Sequence, residues 1–300
     1  MTKFTIRAAV VFAALLSAPL LGGGALSAHA QQQPQQQPTP RAPKKKLQAS
    51  SNFAQYAGRD SSNRLIAGGA TRNITDPMAA GEKSFTERNY PEAIKAYKLA
   101  IQKHDAQSQY TLALAYYNLG VVHEVAGQHR EAIAAYRRAT GSNPDLGVAA
   151  RAYYNLGNVL AAEKKYAEAV AAYRKVAELA PDQYVVYYNI GLAQAAAGEH
   201  TDAAASFKQA LGLKPDFADA HYNLGLSYWA AEQYDDSFAA FKEAVRLKPD
   251  HAEAHYNLGL AHFAFEDAAA LEAEIKELEK LKPELAAKLR EINKAEASQQ

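Results

Sequence analysis

Residues 150–183 read ARAYYNLGNVLAAEKKYAEAVAAYRKVAELAPDQ, and residues 184–217 read YVVYYNIGLAQAAAGEHTDAAASFKQALGLKPDF. Laid over one another, the two 34-residue stretches agree in Tyr-Tyr-Asn at positions 4–6, Gly at 8, Ala at 20, an aromatic at 24, a small aliphatic at 27 and Pro at 32. Apolar residues recur at helical spacing in two runs within each stretch, so each reads as a helical hairpin. Small residues at positions 20 and 27 let two helix axes approach, and the large residue at 24 fills the space beside them. The proline ends the second helix, because it has no N–H to donate and its ring clashes with the preceding turn.

The pattern extends in both directions. Position 8 is Gly120, Gly157, Gly191, Gly225 and Gly259, at intervals of 37, 34, 34 and 34, and Pro144, Pro181, Pro215, Pro249 and Pro283 repeat those intervals. A weaker copy with Gly81, Ala93, Tyr97 and Ala100 precedes them. Six units are expected to start near 74, 113, 150, 184, 218 and 252. The first and last depart from the pattern, with Asp105 in place of proline and with Leu271 and Leu278 at the two small positions. Terminal units of a repeat array have a neighbour on one side only, which frees those positions. After Pro283, Leu285, Leu289 and Ile292 share a stripe that polar residues back, as a capping helix requires.

Period, Leu-Gly, Ala at 20, aromatic at 24, Ala at 27 and Pro at 32 together resemble the tetratricopeptide repeat (TPR) family. The resemblance implies an all-α, right-handed α-solenoid of about six hairpins over residues 74–285, with a capping helix and tail at 286–300. It also implies a concave groove lined by the first helices. Position 6 holds Asn118, Asn155, Asn189, Asn223 and Asn257, and position 5 holds Tyr117, Tyr154, Tyr188, Tyr222 and Tyr256. Asparagine is a mediocre helix former, so five in helix interiors need a reason. The ladder looks like that of the superhelix in O-linked N-acetylglucosamine transferases, where such amides hold the backbone of an extended peptide. A carboxamide both donates and accepts, which suits that role. The other reading is that the asparagines belong to the repeat itself and bond neighbouring helices.

The family's carboxylate clamp fits poorly: of Met78, Glu82, Asn118, Arg151 and Asn155, just Asn118 and Arg151 match. The remaining groove positions, Val121, Asn158, Leu192, Leu226, Leu260, Trp229 and Phe263, give an apolar floor that favours an extended or helical apolar segment. The expected peptide-binding set is therefore the five asparagines, the five tyrosines, Arg151 and Asn158.

No catalytic role is expected. The chain has no cysteine, so thiolate chemistry drops out. No serine or threonine is paired with a base by any motif, and no glycine pair opens a phosphate loop. His251, His255 and His262 have a metal-like spacing, but His255 occupies a packing position and nothing completes a ligand shell, so no metal and no cofactor are expected. The chain stops at Gln300, leaving no room for a transferase domain.

Charge is uneven along the chain. Six of the 33 basic side chains and none of the 32 acidic ones fall in residues 1–47, leaving 27 basic against 32 acidic groups beyond. That balance argues against nucleic acid as a partner. Lys3 and Arg7, an uncharged run to Leu26, and Ala28-His29-Ala30 read as a signal peptide over residues 1–30 with cleavage after Ala30. The rival is an uncleaved membrane anchor, which Pro19 and Gly22-Gly23-Gly24 weaken. Residues 31–73, Gln/Pro-rich and then polar, read as an irregular linker. Together these features point to a periplasmic or otherwise exported adaptor that binds a protein or peptide for an envelope assembly. The alternative is an accessory subunit that binds glycan in a polysaccharide synthesis or export machine.

Overall fold

The structure, a computed structural model, describes residues 76–108, 111–142 and 144–297. The expected signal peptide and linker lie outside the described residues. Among these, every regular element is a helix. Five hairpins pair α1 (Pro77–Thr86) with α2 (Tyr90–Gln102), α3 (Leu112–Val125) with α4 (His129–Gly141), and α5 (Leu146–Ala162) with α6 (Tyr166–Leu179), then α9 (Ala218–Ala230) with α10 (Tyr234–Leu247), and α11 (Ala252–Ala264) with α12 (Ala268–Leu281). Between them come α7 (Tyr184–Ala196) and α8 (His200–Leu213), and α13 (Pro283–Ala297) closes the series.

The described chain divides into two compact units, residues 76–193 and residues 194–297. In the first, each helix packs on its successor from α1 to α6, and α3 also touches α5. In the second, α8 to α13 pack in succession and α13 reaches back to α11. This is the all-α TPR solenoid architecture that the repeat period implies.

Each first helix ends the same way. Position 15 takes the left-handed conformation, at Gly127 and Gly198 (φ 72° and 82°) but also at Arg88, Lys164, Glu232 and Glu266 (φ 58–61°). In the third repeat Lys165 N–H donates to Leu160 C=O (2.8 Å) and Lys164 N–H to Ala161 C=O (2.9 Å). This paired capping satisfies carbonyls that the helix end would otherwise leave open, and the other five turns repeat it.

Within the hairpins, position 8 faces position 24. A Cβ on Gly81, Gly120, Gly157 or Gly225 would fall 2.5–2.7 Å from the ring of Tyr97, Tyr136, Tyr173 or Phe241, so these glycines let an aromatic ring lie directly on the backbone of the first helix. Positions 20 and 27 are sealed, as expected: Ala93, Ala132, Ala169, Ala203, Ala100, Ala139, Val176, Ala210 and Ala244 are fully buried. Ser237, which replaces alanine at position 20, is buried too and donates its hydroxyl to the Gly225 carbonyl at 2.7 Å.

Two boundaries differ from the expected ones. Helix α5 starts at Leu146, four residues before 150, where Asp145 accepts from the N–H groups of Gly147 and Val148. The longer 37-residue interval is absorbed in this extra turn. Helix α13 starts at Pro283, three residues before 286; proline is compatible with a first helical position, where no intrahelical N–H bond is needed. Leu289 from α13 takes the place opposite Gly259 that an aromatic fills elsewhere, and Leu271, Ile275 and Leu278 are buried with it. Larger residues at positions 20 and 27 of the last repeat are thus matched by the cap.

Candidate protein-binding face

The asparagine ladder is internal. Asn118, Asn155, Asn189 and Asn257 are at most 5% exposed, and Asn223 is half-buried. Three of their amides donate to tyrosines of the preceding repeat. Asn155 Nδ2 donates to the hydroxyls of Tyr136 (3.2 Å) and Tyr117 (3.4 Å), Asn189 Nδ2 to Tyr154 (3.1 Å), and Asn257 Nδ2 to Tyr222 (3.2 Å). The Tyr97 hydroxyl, buried in the first repeat, makes no hydrogen bond. Asn223 Nδ2 donates to the Asp219 carbonyl one turn back. Tyr117, Tyr154, Tyr188 and Tyr256 are also buried, and Tyr222 is half-buried. Burial pushes the hydroxyls of Tyr97, Tyr117, Tyr136, Tyr154, Tyr173 and Tyr222 up, so all stay protonated donors at neutral pH.

The exposed amide stripe expected from the sequence is therefore corrected. A buried hydroxyl needs a partner, and the next repeat's amide supplies it, so the ladder joins repeats. The expected apolar floor is corrected in the same sense. Val121, Leu260, Trp229 and Phe263 are buried, with Trp229 in an edge-on contact with Tyr234 at 4.8 Å. Half-buried in the N-terminal unit are Arg151, Asn158 and Leu192, and in the C-terminal unit Asp219 and Leu226 beside Tyr222 and Asn223.

The N-terminal unit holds a polar network at these positions. Tyr136 donates its hydroxyl to Glu124 Oε2 at 2.5 Å while accepting from Asn155. Tyr173 donates to Asn158 Oδ1 at 2.7 Å. Burial pushes the Glu124 carboxyl up to about 7, against the Tyr136 bond that pulls it down. Glu124 was not singled out by the sequence reading, although a signal was present: it stands at position 12, which the later repeats give to Ala161, Ala195, Trp229 and Phe263.

The histidines are held separately. His255 Nδ1 lies 2.6 Å from Glu274 Oε2 and its Nε2 lies 2.9 Å from the Pro249 carbonyl. His251 caps α11 by accepting from Ala254 N–H, and His262 stands edge-on to Phe238. Among the described residues no three His, Cys, Asp or Glu side chains come together as a metal site. No helix among them is long and apolar enough to cross a membrane.

Hairpins of this period, with glycine set against an aromatic ring and an internal amide ladder, define a helical repeat scaffold. A tetratricopeptide repeat family model matches residues 85–145, 117–184, 188–250 and 222–285, and the chain belongs to that family. No curated protein matches it in sequence. Among solved structures it is similar to a double mutant of MamA from RS-1 (TM-score 0.53, 23% identity, 57% of this chain and 94% of that one). It is also similar to YrrB, described as a TPR protein with an unusual peptide-binding site (TM-score 0.54, 22% identity, 66% and 100%). A third likeness is to a tetratricopeptide repeat protein from Parabacteroides merdae (TM-score 0.55, 17% identity, 74% and 86%). At these identities the likeness is one of fold.

Proposed function

We propose that this chain is an exported TPR scaffold that binds a segment of another protein on a first-helix face, within an envelope assembly. The observation that carries the reading is the contrast within each unit. The amide and tyrosine ladder is consumed in joining repeats, while Arg151, Asn158 and Leu192 in one unit and Asp219 and Leu226 in the other keep part of their surface. Such a face offers apolar contact with a few polar fixing points, which suits an extended or helical peptide segment. It suits glycan less well, because most of the tyrosine rings and amides that would have contacted sugar are buried, with Tyr222 and Asn223 half-buried. Export rests on the basic start, apolar run and Ala28-His29-Ala30 of the first thirty residues. YrrB's description as a peptide-binding TPR protein is in keeping with the same role.

The test is a crosslinking pull-down from envelope extract with the wild-type chain and with Leu192→Asp and Leu226→Asp variants. A protein captured by the wild type and lost from the variants supports the scaffold. Retention of the chain on insoluble polysaccharide, with no protein partner, favours the glycan reading. Mass spectrometry of the mature N-terminus tests export, with Gln31 as the expected first residue.

A further inference from the structure

We infer that the groove side of the second and third repeats carries a subsite for a lysine of the bound segment, whose ammonium pairs with the carboxylate of Glu124. The inference rests on the protein-binding reading above and narrows it to a segment with a cationic side chain. Glu124 occupies a row that is otherwise alanine or aromatic, so an acid there works against the desolvation of its charge. Its internal role is to accept the Tyr136 hydroxyl. That role does not call for a charge, because in the next repeat the neutral amide of Asn158 accepts the equivalent hydroxyl of Tyr173. The carboxylate is therefore more than folding requires.

The surroundings fit a cation. Glu124 Oε2 accepts the hydrogen bond from the Tyr136 hydroxyl, which leaves Oε1 for a further donor, and its field reaches the Tyr173 hydroxyl that is bonded to Asn158. An ammonium has three donors and no acceptor, which matches a site built of acceptors. Arg151, on the same face, acts on the Tyr117 hydroxyl, whereas the influences on Glu124 are burial and the Tyr136 bond. Glu82, half-buried in the first repeat, adds negative potential near Tyr97. Pairing with an ammonium would offset the cost of keeping Glu124 charged in this partly dry position.

Tyr136 of α4 bonds Glu124 directly, and the field of Glu124 reaches the hydroxyls of Tyr117 on its own helix, which Arg151 of α5 also influences, and of Tyr173 on α6. Apart from Glu124 itself, none of these changes charge between pH 6 and 8. His123, bonded to Gln128, and His129, paired with Glu163, lie nearby in sequence and remain in any Glu124 variant.

The experiment uses the full chain and a library of ten-residue peptides capped at both ends, each made with lysine and again with Nε-acetyl-lysine. Binding is measured for the wild type and for Glu124→Gln, which keeps an acceptor for Tyr136. Acetylation is expected to weaken wild-type binding about tenfold, and Glu124→Gln to abolish that preference. Wild-type affinity for lysine peptides is expected to fall roughly fivefold from pH 8 to pH 6 as the carboxylate protonates, with the Gln variant flat over the same range. The lysine and acetyl-lysine comparison on the wild type needs no variant, so it decides the matter even if Glu124→Gln folds poorly. Equal binding of both peptide forms, or full lysine preference in the Gln variant, overturns the subsite and leaves the protein-binding reading standing. Absence of binding by any peptide of the library overturns both.

Discussion

Gly157 lies directly beneath the ring of Tyr173, so closely that a Cβ would come 2.5 Å from Tyr173 Cε1. Alanine in a helix interior is otherwise favoured over glycine by about 1 kcal/mol. Here the ring is fully buried and has no room to retreat, and overpacking of this kind costs about 1–3 kcal/mol. Gly157→Ala is therefore expected to lower stability despite its better propensity. Gly212 in α8 has nothing within 4 Å of its would-be Cβ, and Gly212→Ala should raise stability by up to about 1 kcal/mol. Thermal melts of the two variants check the contrast; equal shifts would contradict the packing of position 8 on position 24.

The turns offer a second contrast. Glu232 and Lys164 hold the left-handed conformation without being glycine, at a cost of about 1–2 kcal/mol, against about 0.5–1 kcal/mol for the extra freedom that glycine loses on folding. Glu232→Gly and Lys164→Gly are expected to stabilise by some tenths of a kcal/mol to about 1. Gly127→Ala, with open space around the site and φ of 72°, should lose about 1 kcal/mol through backbone conformation alone. Denaturant midpoints of the three variants provide the measurement.

The hairpins, their sealed positions 20 and 27 and the cap were legible in the sequence because each rests on side-chain volume at a fixed period. Asn155 was legible as unusual, but its direction was not. A residue one step from Tyr154 on a helix can face the groove or the preceding repeat, and repeat spacing alone does not say which. The deciding contact, with Tyr136, joins residues 19 apart in different helices. Glu124 is hard to read from the sequence for the converse reason. Recurrence marks the repeat's own positions, and Glu124 matters as a departure from it, set where its neighbours in register are Ala161 and Trp229.

Burial of the ladder yields a third prediction. Asn155→Ala removes the donor shared by the Tyr117 and Tyr136 hydroxyls, both of which are almost wholly buried. Tyr136 keeps its bond to Glu124, so the loss is that of the hydrogen bonds from Asn155, about 0.5–1.5 kcal/mol each, more than the few tenths that alanine's propensity returns. Asn155→Ala and Asn189→Ala are each expected to melt earlier, and the affinity of the remaining folded protein for its partner is expected to be unchanged. Circular dichroism and calorimetry on the same samples separate the two effects; normal melting with lost affinity would restore the groove role of these amides.

The last prediction concerns pH and the final repeat. Both ring nitrogens of His255 face acceptors, the Glu274 carboxylate at 2.6 Å and the Pro249 carbonyl at 2.9 Å, so the doubly protonated ring satisfies both. The bond to Glu274 raises the pKa above 6.5; burial opposes it, and the Pro249 bond and the fields of Glu274 and Glu277 add to it. A folded-state value above the unfolded one means that folding takes up protons. This contribution to stability is complete below about pH 6.5 and is lost as pH rises through the raised value. His200 and His262 are shifted downward by burial, so their contributions run in the opposite sense, while Glu124, pushed up to about 7, contributes in the same sense as His255, and the wild-type profile alone mixes all four. The difference between wild type and His255→Asn isolates the term, because the other groups are common to both. That difference in melting temperature is expected to be largest near pH 6 and to shrink steadily above neutrality. Glu274→Gln, which keeps the shape and removes the charge, should weaken the same dependence. A difference that grows with pH would mean that His255 is held neutral, with one nitrogen unprotonated beside Glu274 or Pro249.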